Sequence, residues 1–221
     1  MTPRRTDDST TIARLLSIVT HIGALIPLAL LLWDYWTFQL SADPIREVTL
    51  RTGKSALSLL VLSLACTPLN TLLGWKKLIP LRKTLGLYAF LYASLHALTF
   101  VWLDYGLDPE LIVEAVFEKR FALAGFAAFL FLVPLAMTSN RWVMRRLGKR
   151  WKLLHRLAYL AGTLAVVHFL WLVKNVYTQP LIYAAVLALL LVVRVRPIKH
   201  RIVDWRTEVK SRLVRGPTPT G

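Results

Sequence analysis

The chain has 221 residues, of which 56% are hydrophobic, and its 28 Lys and Arg against 12 Asp and Glu give a formal charge of +16. That charge does not describe a soluble nucleic-acid binder, because the basic clusters alternate with apolar runs of about twenty residues, the length that crosses a bilayer. Cys66 is the only cysteine, which excludes an intrachain disulfide, a cysteine-ligated cluster and haem attached covalently through a C-x-x-C-H motif.

Residues 1–14 read as a polar N-terminal tail, and residues 15–33 form the first predicted span, preceded by Arg4, Arg5 and Arg14. Basic residues at that end predict a cytoplasmic N-terminus, and the length of the run and its lack of a clear small-residue cleavage site predict a retained helix rather than a signal peptide. Pro27 is a candidate kink, and His21 in this helix reads as a structural histidine. Residues 34–54 read as a mixed-charge loop and residues 55–73 as the second span, with Pro68 near its end. The link 74–83 carries Lys76, Lys77, Arg82 and Lys83 and no acid, as a short cytoplasmic loop should. A third span over residues 84–103 holds His96. Residues 104–120 are acidic, with Asp104, Asp108, Glu110, Glu114 and Glu118 against Lys119 and Arg120, and read as an external loop. The fourth span, residues 121–137, returns to a connection with six basic residues and no acid. The fifth span follows, and after a short link residues 180–193 make the sixth.

The basic tail 194–221, with Ile198, Ile202, Val203 and Trp205 among its charges, reads as a segment lying on the anionic inner leaflet. On this topology six of the 28 basic residues (Arg46, Arg51, Lys54, Lys119, Arg120 and Lys174) fall outside and 28 − 6 = 22 inside. The reading is an all-α membrane protein: a six-helix domain over residues 15–193 with both termini cytoplasmic.

The fifth span carries the chemistry. Residues 151–174, WKLLHRLAYLAGTLAVVHFLWLVK, hold His155 at the start and His168 near the end, 13 positions and so about 20 Å apart along a helix. They cannot share one ligand. An ionisable residue inside a span is a functional candidate, and neutral imidazole is a common haem or metal ligand; the bland alternative is a polar contact between helices. Residue counting puts His96 about 18 Å and His168 about 22 Å from the inner ends of their helices, at one level. Two facing helices can hold a haem between such side chains, and two imidazoles fill both axial positions of its iron, an arrangement suited to electron transfer. For His155 the helix-three counterpart is Lys83, next to Arg82, and cationic side chains are poor haem ligands. One bis-histidine haem is therefore expected and a second is weakly supported, His155 being left to bond a propionate, a flavin or a quinone near the inner surface.

The runs LRKTLGLYAFLYASLHALTF, LVPLAMTSN, RRLGKRWKLLHRLAYL and HFLWLVK, followed by QPLIYA, resemble the MsrQ family (also called YedZ) over roughly residues 52–185. These are haem-binding membrane subunits of bacterial methionine sulfoxide reductase systems, within the ferric-reductase-like transmembrane group. The resemblance implies a b-type cytochrome in the bacterial inner membrane. It would take electrons from the quinone pool or a cytosolic flavin reductase and deliver them to MsrP, a periplasmic molybdopterin enzyme that repairs oxidised methionines in proteins. It carries the family histidines onto His96, His155 and His168, and it implies an association with FMN whose site the sequence does not place. No glycine-rich nucleotide loop is present, so the electron donor is expected to be a separate protein or quinone, and no substrate chemistry is expected of this chain itself. Two other readings remain at this stage: a stand-alone transmembrane ferric reductase, which keeps the haem but changes the acceptor, and a non-redox transporter that uses its histidines for packing or proton relay.

Overall fold

A computed structural model describes residues 5–215, with side chains described for 10–195 and 197–208. The expected tails fall partly outside this range, at residues 1–4 and 216–221. Among the described residues there is no strand, and the chain is all-α.

Helix α1 runs Arg5–Trp36, so residues 5–14, read from sequence as a polar tail, belong to a helix. Pro27 lacks the N–H that a helix interior needs, and next to it the buried Tyr92 hydroxyl enters α1, accepting from Leu28 N–H (2.9 Å) and donating to the Ala24 carbonyl (2.8 Å).

Helix α2, Pro44–Leu73, is the main correction to the sequence reading, which took residues 34–54 as a loop. Its first turn is capped by Asp43, whose carboxylate accepts from Arg46 N–H, and Pro44 sits where its missing donor costs nothing. The charges that looked like loop composition satisfy one another: Arg51 pairs with Glu47 one turn back and with Asp34 at the end of α1. Gly74 ends the helix with φ 75°, its N–H bonded to Asn70 O.

A short 3-10 turn, Lys76–Leu78, leads to α3, Leu81–Leu98, which continues as a π-helical stretch, Thr99–Asp104. The acidic segment 104–120 contains a further helix, α4, Pro109–Glu118, capped by the Asp108 carboxylate. Helix α5 is Arg120–Met137. Two short helices, α6 (Arg141–Leu147, capped by Asn140) and α7 (Lys149–Leu154), precede α8, Leu157–Leu172. The fifth span is therefore interrupted at His155 and Arg156, where backbone bonds tighten to the three-residue kind, Arg156 N to Leu153 O and Tyr159 N to Arg156 O. Helices α9, Thr178–Val192, and α10, Arg196–Arg215, complete the described residues, so residues 196–215 of the expected tail are helical.

Among the described residues five helices are long and apolar enough to cross a membrane, in the segments Thr10–Trp36, Pro44–Leu73, Lys76–Asp104, Arg120–Met137 and Lys149–Leu172. The expected sixth, α9, has 15 residues, about 22 Å of helix, and reaches span length only with the segment Pro197–Glu208, from which it is bent by 75°. Packing is most extensive between α2 and α3 and between α5 and α8. The core joins both pairs through Leu60, Leu64, Ala89, Leu132, Ala161 and Leu187. Large apolar side chains such as Ile22, Leu130, Leu160 and Leu189 point outward, as they do on a bundle whose solvent is lipid.

Candidate functional site

One end of the bundle is formed by the starts of α2 and α5 and the ends of α3 and α8, and there His96 and His168 come together. Their rings are 6.0 Å apart between centroids, with planes at 80°. Each ring is held from the neighbouring helix: His96 Nδ1 lies 2.9 Å from Thr49 O on α2, and His168 Nδ1 lies 2.7 Å from Phe121 O on α5. A carbonyl only accepts, so each Nδ1 carries the proton and donates, which leaves Nε2 with its lone pair free. This is the tautomer and support that metal-ligating histidines ordinarily have. The Phe121 ring packs against His168 at 6.1 Å.

The separation suits a shared metal: a metal–nitrogen bond of about 2 Å and about 1 Å from nitrogen to ring centre, on each side, sum to about 6 Å. Among the described residues no group of three or more His, Cys, Asp or Glu could hold a metal ion. Two imidazoles are too few for a protein-only tetrahedral site, so the donor set fits a group that brings its own equatorial ligands, as haem does.

His155 is not part of this pair. It sits in the turn between α7 and α8, with Nε2 3.2 Å from the Thr138 hydroxyl and its ring against Trp151 at 4.0 Å, while Trp151 Nε1–H donates to Thr138 O at 3.0 Å. These contacts tie it to the far end of α5. Arg194, which the sequence reading left in the tail, turns into the bundle at that end: its guanidinium lies over the Tyr159 ring and donates to the Tyr159 hydroxyl and to Leu64 O. No acid occurs from Lys119 to Val203, or from Thr52 to Leu103, so nothing anionic in these segments offsets Arg82, Arg194 and the basic connection. His21 makes the polar helix contact expected of a structural histidine, with Nδ1 2.9 Å from the Tyr88 hydroxyl. At the opposite surface Lys119 donates to the Tyr105 hydroxyl at 3.0 Å, which holds its ammonium above the ordinary lysine range.

Sequence reasoning missed an internal repeat. Thr49, Gly53 and His96 are matched by Phe121, Gly125 and His168, each 72 positions later (121 − 49, 125 − 53, 168 − 96). The same shift pairs Leu60 with Leu132, and Ala89 with Ala161, the last two both fully buried. The α2–α3 and α5–α8 pairs thus place these matched residues at one spacing, which can be found by comparing the chain with itself at a shift of 72. The two pairs differ at the far end, where Lys83 stands in the position of His155.

The family profile described as "Ferric reductase like transmembrane component" matches residues 52–166, a range that contains His96 and His155. Relatives of similar length carry the name protein-methionine-sulfoxide reductase heme-binding subunit MsrQ. One from Xanthomonas campestris pv. campestris (strain 8004) is 47% identical over 177 residues, covering 77% of this chain and 81% of its own. One from Bordetella parapertussis is 47% identical over 172 residues, covering 77% and 84%. A third, from Xanthomonas axonopodis pv. citri, is 45% identical over 179 residues, covering 78% and 82%. With nearly half its residues shared over most of both lengths, and its paired histidines on a ferric-reductase-like bundle, this chain belongs to the MsrQ family of multi-pass membrane proteins.

Proposed function

We propose that the chain is a b-type cytochrome, the membrane subunit that passes electrons across the bacterial inner membrane to a periplasmic molybdopterin methionine sulfoxide reductase of the MsrP kind. The observation that carries this reading is the pair of imidazoles 6.0 Å apart, each with Nδ1 bonded to a backbone carbonyl and Nε2 free. The names of the relatives, heme-binding subunits, support it.

His96 and His168 would hold the haem iron from both sides. When bound, haem supplies a one-electron carrier, cycling between ferric and ferrous iron. The chain's residues do the rest. Thr49 O and Phe121 O would fix the two ring orientations, and with both imidazoles engaged in holding haem the chain would carry electrons and leave sulfoxide chemistry to the partner.

The predominance of basic residues at the His155 end makes that end cytoplasmic, with both termini inside and the His96–His168 end toward the periplasm. In this orientation residues 15–193 form the electron-carrying domain, and residues 1–14 and 194–221 flank it on the cytoplasmic side. Electrons enter at the cytoplasmic end from the quinone pool or a flavin reductase. His155, Arg82 and Arg194 offer hydrogen bonds and positive charge there to a propionate, to FMN or to a quinone. They leave from the outer end, where the acidic segment 104–118 flanks the helix that carries His96 and offers a docking surface. Protein purified from haem-replete cells should show a Soret band that shifts on reduction with dithionite, and should be reoxidised by the oxidised periplasmic partner. A colourless, haem-free preparation would overturn the reading.

A further inference from the structure

The two histidines share a detail beyond their hydrogen bonds: each packs against a glycine on the neighbouring helix, one turn after the carbonyl it bonds. A Cβ added at Gly125 would lie 2.6 Å from His168 Nδ1 and 2.9 Å from Cε1, and one added at Gly53 would lie 3.0 Å from both Nδ1 and Cε1 of His96. The two glycines occupy equivalent places in the repeat. We infer that Gly53 and Gly125 are positioning residues for the two imidazoles, each opening a helical carbonyl to a second hydrogen bond and leaving the space in which the ring turns its Nε2 to the ligand. This rests on the reading of His96 and His168 as haem ligands and extends it to residues that do not touch the haem iron.

In an α-helix the Thr49 and Phe121 carbonyls face the N–H groups of Gly53 and Gly125, four residues on. Side chains in a helix tilt toward its N-terminus, so a Cβ at the fourth position would lie over the flank of that carbonyl. With glycine there, the second lone pair of the carbonyl is open, and the imidazole N–H takes it. A methyl group at Gly125 would press on a ring pinned at 2.7 Å by its hydrogen bond, which cannot give way as a flexible chain end does. The ring must tilt, lose the bond to Phe121 O, or both. At Gly53 the intrusion is milder, so the two sites should respond unequally. Glycine in a helix interior is otherwise unfavourable by roughly 0.5–1 kcal/mol relative to alanine, so propensity alone would make alanine the better residue at both places.

Gly162 serves as the control. It is buried on a spanning helix, where a Cβ would meet the flexible Leu64 Cδ1 at 3.2 Å and no histidine. The test uses the full chain purified with its haem and reads the low-spin electron paramagnetic resonance signal, the reduction midpoint and the haem content per folded protein. Gly125→Ala should lose most of the low-spin signal, Gly53→Ala should keep haem with a shifted signal and midpoint, and Gly162→Ala should match wild type in both. If Gly125→Ala does not fold, Gly53→Ala decides: a shift supports the inference and a wild-type signal overturns it. Equal shifts in all three variants also overturn it, because general packing would then be the cause. His96→Ala and His168→Ala separate the two levels. If they keep the low-spin signal, the ligand reading falls and this inference with it; if they lose it while both glycine variants match wild type, only the glycine inference falls.

Discussion

Replacing Tyr92 by Phe tests how the first helix is held to the bundle. Tyr92 is 1% exposed, and its hydroxyl both accepts from Leu28 N–H and donates to Ala24 O, inside α1 and beside Pro27. Phenylalanine keeps the ring and its packing and removes only the two hydrogen bonds. A hydrogen bond contributes about 0.5–1.5 kcal/mol net, and side-chain bonds within membrane bundles average about 0.6, so the pair should contribute about 1–2 kcal/mol. For a chain of this size each kcal/mol shifts the thermal midpoint by about 2–4 °C, so Tyr92→Phe should melt lower by about 2–8 °C. The assay is thermal unfolding of detergent-solubilised protein followed by tryptophan fluorescence, with the haem spectrum recorded before heating as a check that the site is intact. Unchanged melting would refute the reasoning: α1 would then close its own Leu28-to-Ala24 bond at no cost, and the inserted hydroxyl would contribute nothing.

Two further predictions concern topology and the inner histidine. Reporter fusions at Gly148 and at the C-terminus should read cytoplasmic and a fusion near Pro109 periplasmic; the reverse pattern would invert the proposed electron path. His155→Ala, which removes contacts to Thr138 and Trp151 but leaves the distant imidazole pair intact, should retain haem in part and turn over slowly; complete loss of haem, as for a ligand, would mean that His155 is an indispensable anchor.

Much of the bundle could be read from hydrophobic run length, because a bilayer imposes a minimum on every span. What escaped that logic was local and polar. Residues 44–54 looked like a loop because Glu47 and Arg51 are charged, yet in α2 they lie one turn apart and pair, with Asp34 closing the network, so their charge is no bar to a helix. The sixth span was legible as a short apolar run over residues 180–193, but the bend that follows it was not. The interruption at His155 leaves no mark in an apolar pattern, because neither His155 nor Arg156 is a helix breaker. At the site, the level of His96 and His168 followed from counting residues, but their partners did not. Thr49 and Phe121 act through backbone carbonyls, which every residue has, and Gly53 and Gly125 act through the absence of a side chain. Only the 72-residue repeat carried a trace of them in the sequence.

The central claim is that His96 and His168 are the two axial ligands of one low-spin haem, and it is tested most directly by the low-spin electron paramagnetic resonance signal of His96→Ala and His168→Ala, with His21→Ala as control. The account predicts that each of the first two variants loses haem or turns high-spin and fails to deliver electrons to the periplasmic partner, while His21→Ala matches wild type. Retention of the wild-type low-spin signal in both His96→Ala and His168→Ala would contradict it.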